Sequence, residues 1–190
     1  MNKYINLLLT IFITVFSISG LCDTKNWEIL LPKSKITFKA TQNNSPLQGE
    51  FSKFSGNIVF DKANLENSNV LITIDMGSVT TSYADIANTL KSKDWFDTSA
   101  FPKAVFKAEK FSKLDGDKYQ ATGTLTIRNK TQPVILNFKF NDYSDENATA
   151  EGSTQLKRTA FKVGQGEWSD TSAVKDAVEV KFSITAQKKK

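Results

Sequence analysis

The sequence predicts an all-β protein built from antiparallel strands, and two observations carry that prediction. Val178, Val180, Phe182 and Ile184 are apolar at every second position, with Glu179, Lys181 and Ser183 between them. That is the period of a strand with one wet and one dry face, and it recurs along most of the chain. Such alternation belongs to antiparallel sheets, because parallel strands are covered on both faces and read as continuous apolar runs.

The first residues stand apart. One positive charge in Met1 to Lys3 precedes an almost unbroken apolar stretch from Ile5 to Ile18, and Ser17, Ser19 and Gly20 supply small residues near its end. This reads as an export signal over 1–22, too short to span a bilayer and without a cationic stop beyond it. Cleavage between Ser19 and Asp23 leaves a mature chain of about 168 residues, 23–190. Cys22 sits at this boundary. A lipid-anchor reading would modify it, but Leu21 is bulky where a small residue is wanted, so cleavage without lipidation is the main expectation. The chain's single cysteine permits no internal disulfide, and stability must come from the core.

The strands then follow in order. Ile36 and Phe38 alternate near the mature start; Val70, Ile72, Ile74 and Met76 form a second dry face; Phe106 and Ala108 a third; Leu125 and Ile127 a fourth. In Val134, Leu136, Phe138 and Phe140 the intervening Asn137 and Lys139 take the other face. Strand periodicity fails between Ser78 and Phe101, where Tyr83, Ile86, Ala87 and Leu90 recur at helical spacing and Thr81 or Ser82 is placed to cap a short helix. Asp94, Trp95, Phe96 and Asp97 follow, then Phe101 and Pro102. A helix this apolar on one side, trailed by large aromatics, predicts a lid packed across one end of the sheet.

Composition narrows the function. A mature chain of this length suits one domain, burying roughly 70% of its unfolded surface, and no linker or internal repeat divides it. The formal charge of +5 becomes +4 without Lys3, and part of the excess is Lys188, Lys189 and Lys190. The lysines fall on wet strand positions, which reads as a solvated surface and not as a nucleic-acid site. Histidine is absent, so imidazole catalysis and histidine-held metals are excluded. No carboxylate sits in an apolar run where burial would raise its pKa. The expectation is a protein that is not an enzyme, with no metal and no cofactor.

Several residue groups together resemble the YceI-like family. Ser34, Ile36 and Phe38, the run Gln48-Gly49-Glu50-Phe51 with Phe54 and Gly56, and Ser78-Val79-Thr80-Thr81 resemble its opening half. The likeness continues through Leu90, Asp94, Phe96, Asp97, Phe101-Pro102 and Phe106, then Gly123-Leu125-Thr126-Ile127 and Thr131-Gln132-Pro133-Val134. It ends with Arg158, Phe161, Gly164, Trp168 and Val178. The matches run from about Trp27 to Ala186. One departure is that relatives often carry a histidine just before the leucine equivalent to Leu90, where this chain has Asn88 and Thr89. Headgroup recognition would then differ, with Asn88 as a hydrogen-bonding substitute.

The resemblance implies an eight-stranded antiparallel lipocalin-like barrel with one short helix and an aromatic-rich loop at one end. It also implies a non-enzymatic carrier of an isoprenoid (a polyprenyl chain or isoprenoid quinone) or a similar long-chain acyl lipid, for storage or transport. The expected location is the periplasm, with secretion as the alternative. A membrane protein donor or acceptor and a monomer or homodimer are the remaining partner expectations. The residues expected to line the ligand are Phe38, Phe51, Phe54, Phe60, Ile72, Ile74, Leu90, Trp95, Phe96, Phe106, Leu125, Leu136, Phe138, Phe161 and Phe182, together with Arg158. Rigid rings with no buried charge suit a chain of methylenes, although the same rings could simply fill the barrel. At about 0.8 kcal/mol per buried CH₂, roughly fifteen carbons offer on the order of 12 kcal/mol before the costs of association.

Two roles are open to Arg158. At the barrel rim its planar fork would meet a carbonyl or phosphate headgroup; otherwise it pairs with Asp94 or Asp97, or stacks on Trp95 or Trp168. Gly164 and Gly166 read as a turn, since a lone G-x-G lacks the strand-to-helix context of a phosphate loop. The rival function is a structural or partner-binding barrel acting through the loop at residues 80–102.

Overall fold

Burial follows the alternation closely. In β2 (Lys35–Gln42) Ile36, Phe38 and Ala40 are buried while Lys35 and Lys39 face solvent. The computed structural model describes residues 25–190; the expected leader and Cys22 lie outside them. Before β2 comes β1 (Asn26–Ile29), and after it β3 (Ser45–Phe51), β4 (Phe54–Val59), β5 (Asn69–Asp75), β6 (Val79–Thr81) and the helix α1 (Ala84–Lys91). The longer strands β7 (Lys103–Lys113), β8 (Lys118–Ile127), β9 (Lys130–Tyr143), β10 (Asn147–Lys157) and β11 (Ala177–Lys188) complete the chain.

Eleven strand segments form one sheet, yet its geometry is that of eight strands. β1 and β2 both pair with β11 and are one strand broken by a 3₁₀ turn at Leu31–Lys33, where Pro32 has no N–H to give a ladder. β3 and β4 are likewise one strand, as are β5 and β6, broken at Met76–Ser78. Each neighbour in sequence is then a neighbour in space, and the β1–β11 pairing closes the ring. This is an up-and-down barrel, in which the sheet closes on itself. The breaks lie side by side: Ser78 Oγ accepts from Lys53 N at 3.1 Å and donates to Asp75 O at 2.6 Å, so one hydroxyl replaces the missing ladder bonds. Asn43 and Asn44, both at positive φ, form the tight β2–β3 turn, a conformation asparagine tolerates well.

The interior divides into three clusters along the barrel axis. One gathers Phe38, Val79, Leu90, Trp95, Leu125, Val134 and Phe161 beneath α1. A second holds Ile36, Phe54, Ile72 and Ile184. A third, at the other end, packs Trp27, Phe60 and Tyr119 with Phe111, Phe138, Phe140 and Tyr143.

The predicted helix forms and lies across one end, with Ala87 and Leu90 buried. Two details differ from expectation. Tyr83 is 67% exposed and is itself the N-cap residue, so it lies off the apolar face. Neither Thr81 nor Ser82 caps the helix; the Thr81 hydroxyl donates to Tyr83 O at 2.6 Å and braces the turn leading into it.

The aromatic end carries a pH signature. Burial raises the phenol pKa of Tyr119, helped by the nearby negative charge of Asp117, and burial raises that of Tyr143 against the opposing Lys62 N–H and Lys25. With a raised folded pKa, stability is undiminished below the ordinary tyrosine value of about 10, where folded and unfolded chains are both protonated. Above it the unfolded chain loses its protons first, so stability falls as the pH climbs. Urea midpoints should drop above about pH 10, and Tyr119→Phe should flatten that drop; equal slopes for both proteins would exclude the effect.

Candidate functional site

The barrel encloses a cavity of about 400 Å³ that runs from the helix-capped end to the cluster around Phe60. That volume lies within the range of small-molecule sites, about 300–1,000 Å³. The lining is almost wholly apolar, its polar members being Gln42, Thr89, Thr154 and Arg158. Among the described residues, no group of three or more histidines, cysteines or carboxylates comes together to hold a metal.

All but one of the residues singled out in the sequence line this cavity. Phe54 does not: it is buried against Ile36, Ile72 and Ile184 and belongs to the wall packing. The phenylalanines divide by position. Phe60 and Phe138 belong to the aromatic cluster, where Phe60 lies 5.9 Å from Tyr119, 5.9 Å from Phe138 and 5.2 Å from Phe140, centroid to centroid. They form the floor. Phe38, Phe51 and Phe96 pack on one another near the capped end, at 5.7 and 5.9 Å.

Sequence reasoning missed the residues that create the space. Ala104, Ala121, Ala148 and Ala150 all line the cavity, and a barrel of eight strands is filled by side chains unless some inward positions are small. Their signal was present as alanine on dry strand positions, but a small residue announces a void only when its cross-barrel neighbours are known. Trp27 was missed too; it is buried at the floor, its Nε1 donating to Phe60 O at 2.9 Å. Asn88 is exposed and does not line the cavity; Thr89 is exposed too but contributes to the lining, with its hydroxyl donating to Asp85 O at 2.9 Å.

Arg158 takes the structural one of its two expected roles, over the Trp95 ring, but with backbone carbonyls in place of a carboxylate partner. Its side chain is 4% exposed, and every N–H of the guanidinium is committed to a backbone carbonyl. Nε donates to Lys175 O; Nη1 to Val163 O and Gly164 O; Nη2 to Asp170 O and Val174 O, at 2.8 to 3.3 Å. No ion pair with Asp94 or Asp97 forms, although the guanidinium lies over the Trp95 ring at 5.7 Å. Burial lowers its pKa, with Asp176 and Asp170 opposing, yet arginine stays charged. Arg158 is thus a clamp that ties the loop at residues 162–176 over the barrel end, and it has no donor left for a headgroup. Gly164 is required by this clamp: its φ is +78°, and a Cβ there would meet the guanidinium.

A second clamp was not anticipated. Arg128, in the β8–β9 turn, donates to the carbonyls of Lys93, Trp95 and Lys162 and approaches Asp97 at 3.8 Å. The loop after α1 is thereby tied to the barrel, with Trp95 packed at a tilt 5.6 Å from Trp168.

Fold and cavity together define an up-and-down β-barrel with an apolar interior large enough for a slender ligand. The chain belongs to the YceI-like family, whose YceI-like domain model matches residues 27–186. It is 33% identical over 140 residues to the UPF0312 protein plu2095 of Photorhabdus laumondii, covering 70% of this chain and 72% of that protein. It is 34% identical over 127 residues to protein YceI of Escherichia coli O157:H7, covering 63% of this chain and 66% of that one. Among solved structures, Burkholderia cenocepacia BcnA superposes with a TM-score of 0.79 at 36% identity, covering 83% of this chain and 98% of that chain. A polyisoprenoid binding domain from Saccharophagus degradans, implicated in plant cell wall breakdown, shares the fold with a TM-score of 0.69 at 12% identity, covering 86% and 98%.

Proposed function

We propose that this protein is a non-enzymatic carrier that holds the apolar chain of an isoprenoid, or a similar long-chain lipid, inside the barrel for storage or transport. The single observation that carries the reading is the cavity: about 400 Å³, running along the barrel axis and lined by aromatic and aliphatic side chains. Empty apolar space forfeits dispersion contacts, and a hydrocarbon chain restores them while leaving water. The likeness in fold to a polyisoprenoid binding domain supports the same class of cargo. The apolar leader supports action in an exported compartment, the periplasm, with a membrane donor or acceptor for the cargo.

The rival reading, docking through residues 80–102, draws less support. Leu90 and Trp95 are spent on closing the barrel, and Tyr83 is the segment's one exposed large hydrophobic residue.

The test is native mass spectrometry with organic extraction of protein purified without detergent from the exported fraction of its producing cells. A stoichiometric isoprenoid or acyl species is the expected result. An empty protein that also fails to take up quinones, polyprenols and fatty amides would overturn the reading.

A further inference from the structure

The barrel wall has a seam. β9 and β10 pair from Tyr143 and Ala148 down to Asn137 and Ser153, and there the ladder stops. Residues 130–136 of β9 and 154–157 of β10 continue toward the capped end with no main-chain pairing between them. Two side-chain bonds span the gap, Thr154 Oγ1 to Ile135 O at 2.9 Å and Gln132 Nε2 to Ala160 O at 3.0 Å. Pro133 sits on this edge, where its missing N–H costs nothing. The edge of β6 is also short of partners, but α1 packs against that strand; at the seam only the short 3₁₀ turn at Arg158–Phe161 touches β9, and no further strand pairs there.

The seam also lies between the interior cavity and a groove on the surface. Val134, Thr154, Leu156 and Phe161 line both that groove and the interior cavity. One layer of side chains separates the two. The axial routes are obstructed by comparison: the capped end is tied down by the Arg158 and Arg128 clamps, and the floor is packed aromatic rings with Lys62 Nζ 4.5 Å above the Tyr143 ring. Parting the seam breaks two side-chain hydrogen bonds, whereas parting any laddered pair of strands breaks a run of backbone bonds.

The groove's surface has a definite character. Ile135 is 54% exposed and shares the groove with Lys39, Lys157 and Lys175. Its single acid, Glu179, is already paired with Lys181 at 3.4 Å, and among the described residues neither Lys39 nor Lys157 is within ion-pair distance of a carboxylate. An exposed aliphatic side chain in one groove with Lys39 and Lys157, neither of them ion-paired, complements an anionic lipid surface.

We propose that the β9–β10 seam is the face on which this protein meets an anionic bilayer, and the passage through which an apolar chain moves sideways between bilayer and cavity. The inference rests on the carrier reading above.

The experiment uses geranylgeraniol as probe, delivered either from vesicles or from cyclodextrin, with uptake followed by the fluorescence of Trp95 and Trp168, which line the cavity. In Lys39→Gln/Lys157→Gln, binding to phosphatidylglycerol vesicles should fall about thirtyfold at low salt. Phosphatidylcholine vesicles should not distinguish the variant from the parent, and affinity for probe from cyclodextrin should be unchanged. A second variant, Ile135→Cys/Gln155→Cys in a Cys22→Ser background, staples the first outward-facing positions beyond the last ladder pair. Its oxidised form should take up probe from cyclodextrin at least tenfold more slowly than its reduced form. Uptake as fast through a stapled seam as through an open one overturns the passage and leaves the carrier reading standing. Parent protein that ignores phosphatidylglycerol vesicles overturns the bilayer face and turns the seam over to a protein partner. No uptake by any form from either source defeats the carrier reading, and the seam with it.

Discussion

Arg158→Leu is expected to lower the unfolding free energy by about 3–5 kcal/mol, from five backbone carbonyls losing their donor at about 1 kcal/mol each. The carbonyls of Val163, Gly164 and Val174 belong to buried residues, so water does not replace the guanidinium there without opening the loop. For a domain whose total stability is about 5–15 kcal/mol, this is a large fraction. Arg158→Lys should recover little, since one ammonium with three donors does not span acceptors on the separate segments at 163–164 and 170–175. Urea unfolding gives the comparison. Were the variant to keep its stability within about 1 kcal/mol of the parent and lose only lipid affinity, the guanidinium would be a headgroup ligand and the clamp assignment would fail.

Ala150→Leu is expected to weaken binding of a C20 isoprenoid alcohol on the order of fiftyfold. Ala150 lines the cavity between Phe140 of β9 and Ile184 of β11, and the change adds three carbons to the space a ligand would fill. Displacing about three methylenes at ~0.8 kcal/mol each gives that factor. The fold should not suffer, because the new side chain enters a void and gains contacts, unlike overpacking at a filled site, which costs about 1–3 kcal/mol. The paired readout is fluorescence titration with thermal unfolding. Unchanged affinity would remove this part of the cavity from the site, and a large loss of stability would mean the void is smaller than it looks. Phe138 is a poorer place for such a test, since it is already packed among Phe60, Phe111, Tyr119 and Phe140.

Both predictions turn on residues whose roles the sequence signals poorly. Arg158 and Phe161 stood out by their apolar surroundings and family likeness, and Arg128 did not stand out at all. What makes either arginine a clamp is the approach of loop carbonyls from elsewhere in the chain: Arg158 takes Asp170, Val174 and Lys175, and Arg128 takes Lys93 and Trp95. Ala150 was equally silent, because space is a difference between an alanine and whatever faces it across the barrel. Asn88 drew notice as the neighbour of a missing histidine, but it points away from the cavity, and the next residue, Thr89, although exposed, is the one that touches the lining.

The sequence by itself determined the antiparallel strands, the dry face of each, the position of the one helix and most of the lining. These properties are local: a strand of period two and a helix of period 3.6 declare their inward residues without reference to anything distant. Tertiary structure alone decided that interrupted segments such as β1 with β2 run as single strands around a closed ring of eight. It also decided that Phe54 packs within the wall, that alanines open a cavity, and that the β9–β10 ladder stops at Asn137 and Ser153. Each of these depends on which residues meet across the barrel, and pairing between strands far apart in the chain is set by closure of the whole sheet, which no single segment encodes.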